Sequence, residues 1–200
     1  AHFRIGEYYF DRRDHKQAIE QYKFLLGHWD NPYFDMALYK LGWCYYNLND
    51  YSNAITTFIY LLEDIDLVEK TDSRVIGKSK ADLKSESIQY IASCYSEFGG
   101  PQAARAFFAD RTDKYYTLPV LTQLAELYKK RNYYSETIET NRVILDLYPF
   151  HAEAPALYQR MVEDYELDGN SEEANQVREK IVAEFGPGSA WLAQYPEGDP

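Results

Sequence analysis

"LGWCYYNLNDYSNAITTF", residues 41–58, decides how the chain is to be read. Gly42 stands between Leu41 and Trp43, inside a stretch that otherwise reads as a helix. Glycine in a helix interior costs about 1 kcal/mol against alanine. The chain accepts that cost beside Trp43, Tyr45 and Tyr46, so a facing helix has to approach the backbone at this point. Ala54 is the matching small residue on the helix that follows.

The same order of residue types returns along the chain, and a repeat has to be recognised before any other assignment. Leu41-Gly42, Tyr45, Ala54 and Phe58 have counterparts 36 residues earlier in Ile5-Gly6, Tyr9, Ala18 and Tyr22. Fifty residues later stand Ile91-Ala92, Tyr95, Ala104 and Phe108. A further 33 gives Leu124-Ala125 and Tyr128, with Thr137 and Asn141 as weaker matches. A further 37 gives Met161-Val162, Tyr165 and Ala174, then Arg178 where a ring is expected. Turn signals fall between the halves at Asp14, Asn49-Asp50, Gly99-Gly100-Pro101, Asn132 and Gly169-Asn170. They separate a first helix, A, from a second, B. No strand-type alternation competes.

This pattern resembles the tetratricopeptide repeat (TPR), a helix–turn–helix unit of about 34 residues. The resemblance implies an all-α, right-handed α-solenoid of about five TPR-like pairs plus a C-terminal partial helix. The repeats are expected near 1–32, 33–66, 81–113, 115–149 and 151–186 of a single repeat domain spanning 1–200. Two stretches depart from the period. Residues 67–80 read as an inserted loop, the one basic stretch, with Lys70, Arg74, Lys78, Lys80 and Lys84 in or beside it. Residues 187–200 read as a capping or continuing segment, in which Ser189 to Leu192 start another helix and Trp191 docks as a cap. An unfinished repeat there, together with Ala1 as first residue, makes the chain read as a piece of a longer protein.

The net charge of −11 is uneven. Residues 152–200 carry eleven acids and three bases, a net of −8. A nucleic-acid binder would need a basic stripe instead. No apolar run reaches the ~18 residues of a membrane span. "GKS" at 77–79 resembles the end of a phosphate-binding loop, but the earlier glycine that motif needs is Asp72. The four histidines have no ligand spacing, and no catalytic constellation stands out. Neither a cofactor, a metal, a small-molecule substrate nor an enzymatic activity is expected. Cys44 and Cys94 hold equivalent places in successive A helices. Neighbouring helices lie ~8–10 Å apart, too far for a disulfide, so both should be free thiols filling core.

Function is then expected on the face of the A helices, where residues three and four apart line up. The expected partner-binding groove comprises Phe10, Tyr39, Lys40, Trp43, Tyr46, Asn47, Gln89, Ser93, Glu126, Lys129 and Lys130. The resemblance implies a protein or peptide partner lying in it, as an extended segment or a helix. The lysine–asparagine clamp of the family's chaperone-binding members is absent, with Phe3, Glu7, Tyr39 and Trp43 at its positions. "YKLGWCYYNLNDYSNAI", "IASCYSEFGG", "YPFHAEAP" and "FGPGSAW" are similar to TPR proteins of the bacterial cell envelope, of the outer-membrane-assembly lipoprotein and Tol–Pal-associated types. That implies a periplasmic or outer-membrane-associated scaffold, with the cytoplasm as the alternative. The other function classes are an architectural segment of a longer repeat protein and an accessory helical domain of an enzyme.

Overall fold

The structure is a computed structural model and describes residues 1–28, 31–71 and 80–195, with side chains left undescribed at 69–71 and 80–81. Among the described residues it is all-α, and it divides into two compact units, residues 1–98 and 99–200. Unit 1 contains α1 (His2–Asp11), α2 (His15–Leu26), α3 (Phe34–Asn47), α4 (Tyr51–Thr71) and α5 (Lys80–Glu97). Unit 2 contains α6 (Gly100–Phe108), α7 (Thr117–Lys130), α8 (Tyr134–Leu147), α9 (Ala154–Leu167), α10 (Ser171–Phe185) and a 3₁₀ turn, Leu192–Gln194. Within unit 1 each helix packs on the next; in unit 2, α7 to α10 do the same and α6 lies against α7 and α8. The third repeat's A helix, α5, thus belongs to unit 1 and its B helix, α6, to unit 2.

What presses on the helix glycines is a ring from helix B. A Cβ added to Gly42 would stand 2.7 Å from the Phe58 ring, and one added to Gly6 would stand 2.6 Å from the Tyr22 ring. Both rings are fully buried, as are Ala18 and Ala54. The Tyr22 hydroxyl has no partner among the described residues, so this position calls for the ring rather than its polar end. The glycine's propensity cost is offset by burying a whole aromatic side chain, and Phe→Ala changes in cores show that to be worth about 3–5 kcal/mol.

The turns between A and B helices are built alike in the first, second, fourth and fifth repeats, while the third has two successive left-handed residues, Gly99 and Gly100. Arg13, Asn49, Gly99, Asn132 and Gly169 follow the same spacing of 36, 50, 33 and 37 residues, and all five have positive φ, between 58° and 80°. Asparagine and glycine reach this region at little cost, which explains four of the five; Arg13 pays for it. Asp14 and Asp50, the next residues on, accept hydrogen bonds from the backbone N–H groups of Gln17 and Asn53, each at 3.3 Å. They cap α2 and α4.

The insertion between the second and third repeats goes largely into helix. α4 continues to Thr71, and α5, beginning at Lys80, is 18 residues long against 14 for α3, α7 and α9. The loop expected over 67–80 therefore yields residues 67–71 to α4. The cause is an apolar face that runs on through Phe58, Leu61, Leu62, Ile65 and Val68, all buried, at helical spacing. The remainder of that loop, with "GKS" at 77–79, lies outside the described residues.

The end of the chain also differs from expectation. Ser189 to Leu192 form no α-helix; one 3₁₀ turn follows Trp191. Trp191 is buried, its indole N–H donating to the carbonyl of His151 (3.0 Å) and its ring edge-on to Phe185 at 5.3 Å. It covers the apolar end of α9 and α10, as a cap does. Cys44 and Cys94 are free and buried, and burial pushes both thiols up to about 12.

Gly42→Leu should lower stability by about 1–3 kcal/mol or more through overpacking against Phe58, read as a fall in melting temperature with helical content retained at low temperature. An unchanged melting temperature would mean that the Phe58 ring moves aside freely and does not hold the crossing.

Candidate functional site

The residues expected to bind a partner fall into two groups, one in each unit. In unit 1, Phe10, Lys40, Trp43, Tyr46 and Asn47 lie on α1 and α3. Phe10, Trp43 and Asn47 line an open depression of about 680 Å³ with Asp11, Arg13 and His15. The rings of Trp43 and Tyr46 are engaged with those of neighbouring helices. Trp43 packs on Tyr90 of α5 with centroids 4.3 Å apart, Tyr46 meets Tyr90 at 5.5 Å, and Tyr90 stacks on Phe58 at 5.6 Å. The Lys40 ammonium sits over the Phe10 ring at 4.4 Å. Asn47 turns back to donate to the carbonyl of Trp43 (2.8 Å). Tyr39 is buried and donates to Glu86 of α5, so it ties two helices together. Gln89 is exposed on α5 and Ser93 half-buried there. Burial pushes the Tyr39 and Tyr90 phenols above the ordinary tyrosine range, with Glu86 adding to both.

Unit 2 holds a different kind of site. Between α7 and α9, over α8, lies a cavity of about 310 Å³. Glu126, Lys129 and Lys130, all expected, line it from α7. Thr122 and Ala125 join them from α7, Thr137, Asn141 and Ile144 from α8, and Leu157, Arg160, Glu163 and Asp164 from α9. The cavity lies where the repeat departs from its pattern. Asn141 holds the place that Tyr22 and Phe58 hold in the first two repeats, and Ala125 the place of Gly6 and Gly42. Where those repeats put a ring against the A helix, this one puts a short carboxamide, and the ring's volume is left open.

Asn141 is only 3% exposed; its carboxamide makes no hydrogen bond to the described residues, but it lines the cavity and is not sealed from water. Its neighbours on α8 are satisfied. Thr137 and Thr140 donate to the carbonyls of Tyr133 and Glu136 one turn back, at 2.8 and 2.7 Å. A carboxamide has two donors and an acceptor, which water in the cavity or the polar groups of a ligand can meet.

The charges around the cavity are partly committed. Asp164, 1% exposed, pairs with the Lys129 ammonium, whose side chain is 42% exposed. Glu126 accepts from Gln123 at 3.3 Å. Arg160 reaches Glu153 only at 4.0 Å with both side chains in water, a contact worth little. Lys130 and Glu163 have no partner among the described residues. The floor of Ala125, Ile144 and Leu157 is apolar, so the site combines an apolar base, a carboxamide in its wall and a rim of available cations.

Three residues here escape a reading of the sequence by helical spacing. Tyr90 stands one place beyond Gln89, the residue that spacing selects, and Arg160 lies on α9, from which the expected groove takes no residue. Asn141 carries its own signal, a polar residue where the repeat demands a ring. No group of His, Cys, Asp and Glu among the described residues could hold a metal ion. No described helix is long and apolar enough to cross a membrane.

Lys129→Met should cost about 1–3 kcal/mol in urea denaturation. Stranding a fully buried charge costs about 3–5 kcal/mol, and Lys129's exposure lowers that. No change in the denaturation midpoint would mean that water already satisfies Asp164.

Comparison with known proteins finds a helix-pair family over part of the chain. Residues 36–64 match the tetratricopeptide repeat family, the stretch that holds Gly42, Tyr45, Ala54 and Phe58. No curated protein matches the chain. Among solved structures it is similar to that of a MamA protein, with 19% identity over 91% of this chain and 88% of that one and a TM-score of 0.44. It is also similar to a putative kinesin light chain from Podosopora anserina with nearly identical TPR-like repeats, with 16% identity over 91% and 92% and a TM-score of 0.41.

Proposed function

We propose that this chain is a non-catalytic scaffold that binds a segment of another protein between α7 and α9. The observation that carries this is the cavity over Ala125, with the carboxamide of Asn141 in its wall and no described segment of this chain filling it. The tetratricopeptide repeat at 36–64 supports the general class, since that fold generally serves protein–protein contact. The unit-1 rings Trp43 and Tyr46 are a less favoured docking surface, because Tyr90 already packs on both. An extended peptide suits the cavity better than a helix. A carboxamide such as that of Asn141 bonds a peptide N–H and C=O together, and a helix has those groups engaged internally.

The test starts from the full chain, immobilised, with the retained segment mapped by cross-linking and then synthesised. Calorimetric titration should show affinity falling about tenfold or more in Lys130→Glu/Arg160→Glu, as loss of rim charges that meet a partner does, while the helical spectrum is unchanged. Equal affinity in that variant would move binding to the Trp43 and Tyr46 surface. If no segment binds the folded chain, an architectural role in a longer repeat protein takes its place.

We further infer a bacterial envelope setting, periplasmic or outer-membrane-associated, on the likeness of "YKLGWCYYNLNDYSNAI" and "YPFHAEAP" to envelope TPR proteins. Fractionation of the source cells should find the protein with the periplasm or outer membrane. Recovery in the cytoplasm would end that assignment.

A further inference from the structure

Resting on that reading, we propose that the unit-2 cavity receives an aromatic side chain of the partner, supplying in trans the ring that the fourth repeat lacks, while Asn141 bonds the backbone amide of the inserted residue.

Three places in the repeat register carry this. The first is the ring position of helix B, filled by Tyr22 and Phe58 against Gly6 and Gly42 and held here by Asn141. The second is the ring position late in helix A. Phe10 and Tyr46 occupy it in unit 1, and Lys129 stands there in α7, turned to Asp164. The third is the residue that covers those rings from the next A helix. In unit 1 these are Lys40, whose ammonium lies 4.4 Å from the Phe10 centroid, and Tyr90, 5.5 Å from that of Tyr46. In unit 2 the equivalent is Arg160, which lines the cavity with its guanidinium held only at 4.0 Å by Glu153. So both rings are missing, and the cation that would cover one remains.

The dimensions suit this occupant. A cavity of about 150 Å³ lined by apolar side chains holds benzene, and this one measures about 310 Å³. A ring fits, with room beside it for the backbone that carries it. The floor of Ala125, Ile144 and Leu157 meets the ring's carbon surface. Arg160 and Lys130 can reach its face, where the ring quadrupole attracts a cation. Asn141 exchanges water for hydrogen bonds to the backbone of the inserted residue. An aliphatic side chain would fill the same floor but give the two cations nothing to cover.

The experiment uses the full chain, isotope-labelled, titrated with N-acetyl-phenylalanine methylamide and followed by NMR. The alanine and leucine analogues serve as controls. The expected result is a saturable shift of the Asn141 side-chain amide and of the Ile144 and Leu157 methyls. The phenylalanine probe should bind about tenfold tighter than the alanine one, from the extra apolar area buried. Asn141→Ala should weaken it about fivefold, the worth of one net hydrogen bond. Asn141→Phe, which restores the ring in cis, should abolish binding and keep or raise the melting temperature. Ala125→Leu, which fills the cavity from the other wall, serves if Asn141→Phe fails to fold, and should abolish binding too. Absence of a saturable shift would mean that water alone fills the site. Equal affinity for the leucine and phenylalanine probes, or binding retained in both filled variants, would equally overturn the proposal. A partner segment lost in Lys130→Glu/Arg160→Glu while the probes fail would leave the scaffold reading standing and this inference refuted.

Discussion

A ring from one helix set against a near-naked stretch of the next is the contact on which the rest depends. Gly6 under Tyr22 and Gly42 under Phe58 bring the A and B helices of a repeat to a separation that no side chain on the A helix would allow. Ala18 and Ala54 keep the B helix equally bare at the crossing. Because the ring is large and rigid it fixes both distance and rotation. The A-helix surface away from the crossing is then left to pack on the next helix or to face a partner. The turn between the helices follows suit: Arg13 and Asn49 reach left-handed geometry so that the B helix returns at the required angle.

Much of this is legible in the residue order. A glycine where propensity argues against one, a large side chain sixteen residues on, and the same pair 36 residues earlier leave little else to fold into than helix pairs. The turns are legible too, since Asn49, Gly99, Asn132 and Gly169 are residue types that left-handed geometry selects. Arg13 is not, as arginine has no such preference and shows its geometry only through its place in the register. The extent of α4 is missed for a simple reason. A departure from the period invites a loop, while the apolar face at Leu61, Leu62, Ile65 and Val68 continues without a breaker and takes helix with it.

The candidate site is legible in part, and the part missed has a geometric cause. Spacing along one helix says which residues share a face, but not which of two neighbours crosses to the adjacent helix. Side chains lean toward the helix N-terminus, so a residue's reach depends on its length and on what stands opposite. Tyr90 is long and meets Trp43, Tyr46 and Phe58, so rings that read as a partner surface are joined into a cluster with α5. Tyr39 is drawn further in, by its bond to Glu86. Neither outcome follows from the A-helix pattern alone, because both depend on the neighbouring helix.

Asn141 shows how a repeat can acquire a site by losing something. Exchanging a core ring for a small polar group forfeits about 3–5 kcal/mol of packing. Whole domains are stable by only about 5–15 kcal/mol, so such a position is tolerable only where its neighbours are well satisfied. In unit 2 they are. Thr137 and Thr140 are bonded to their own helix, Asp164 is held by Lys129, and Trp191 closes the end of α9 and α10. A ligand that fills the gap recovers part of what the exchange forfeits, so binding and local stability are coupled there in a way they are not at Phe58. The same crossing that builds the fold where its ring is present becomes, where the ring is absent, the place with the most to gain from an incoming one.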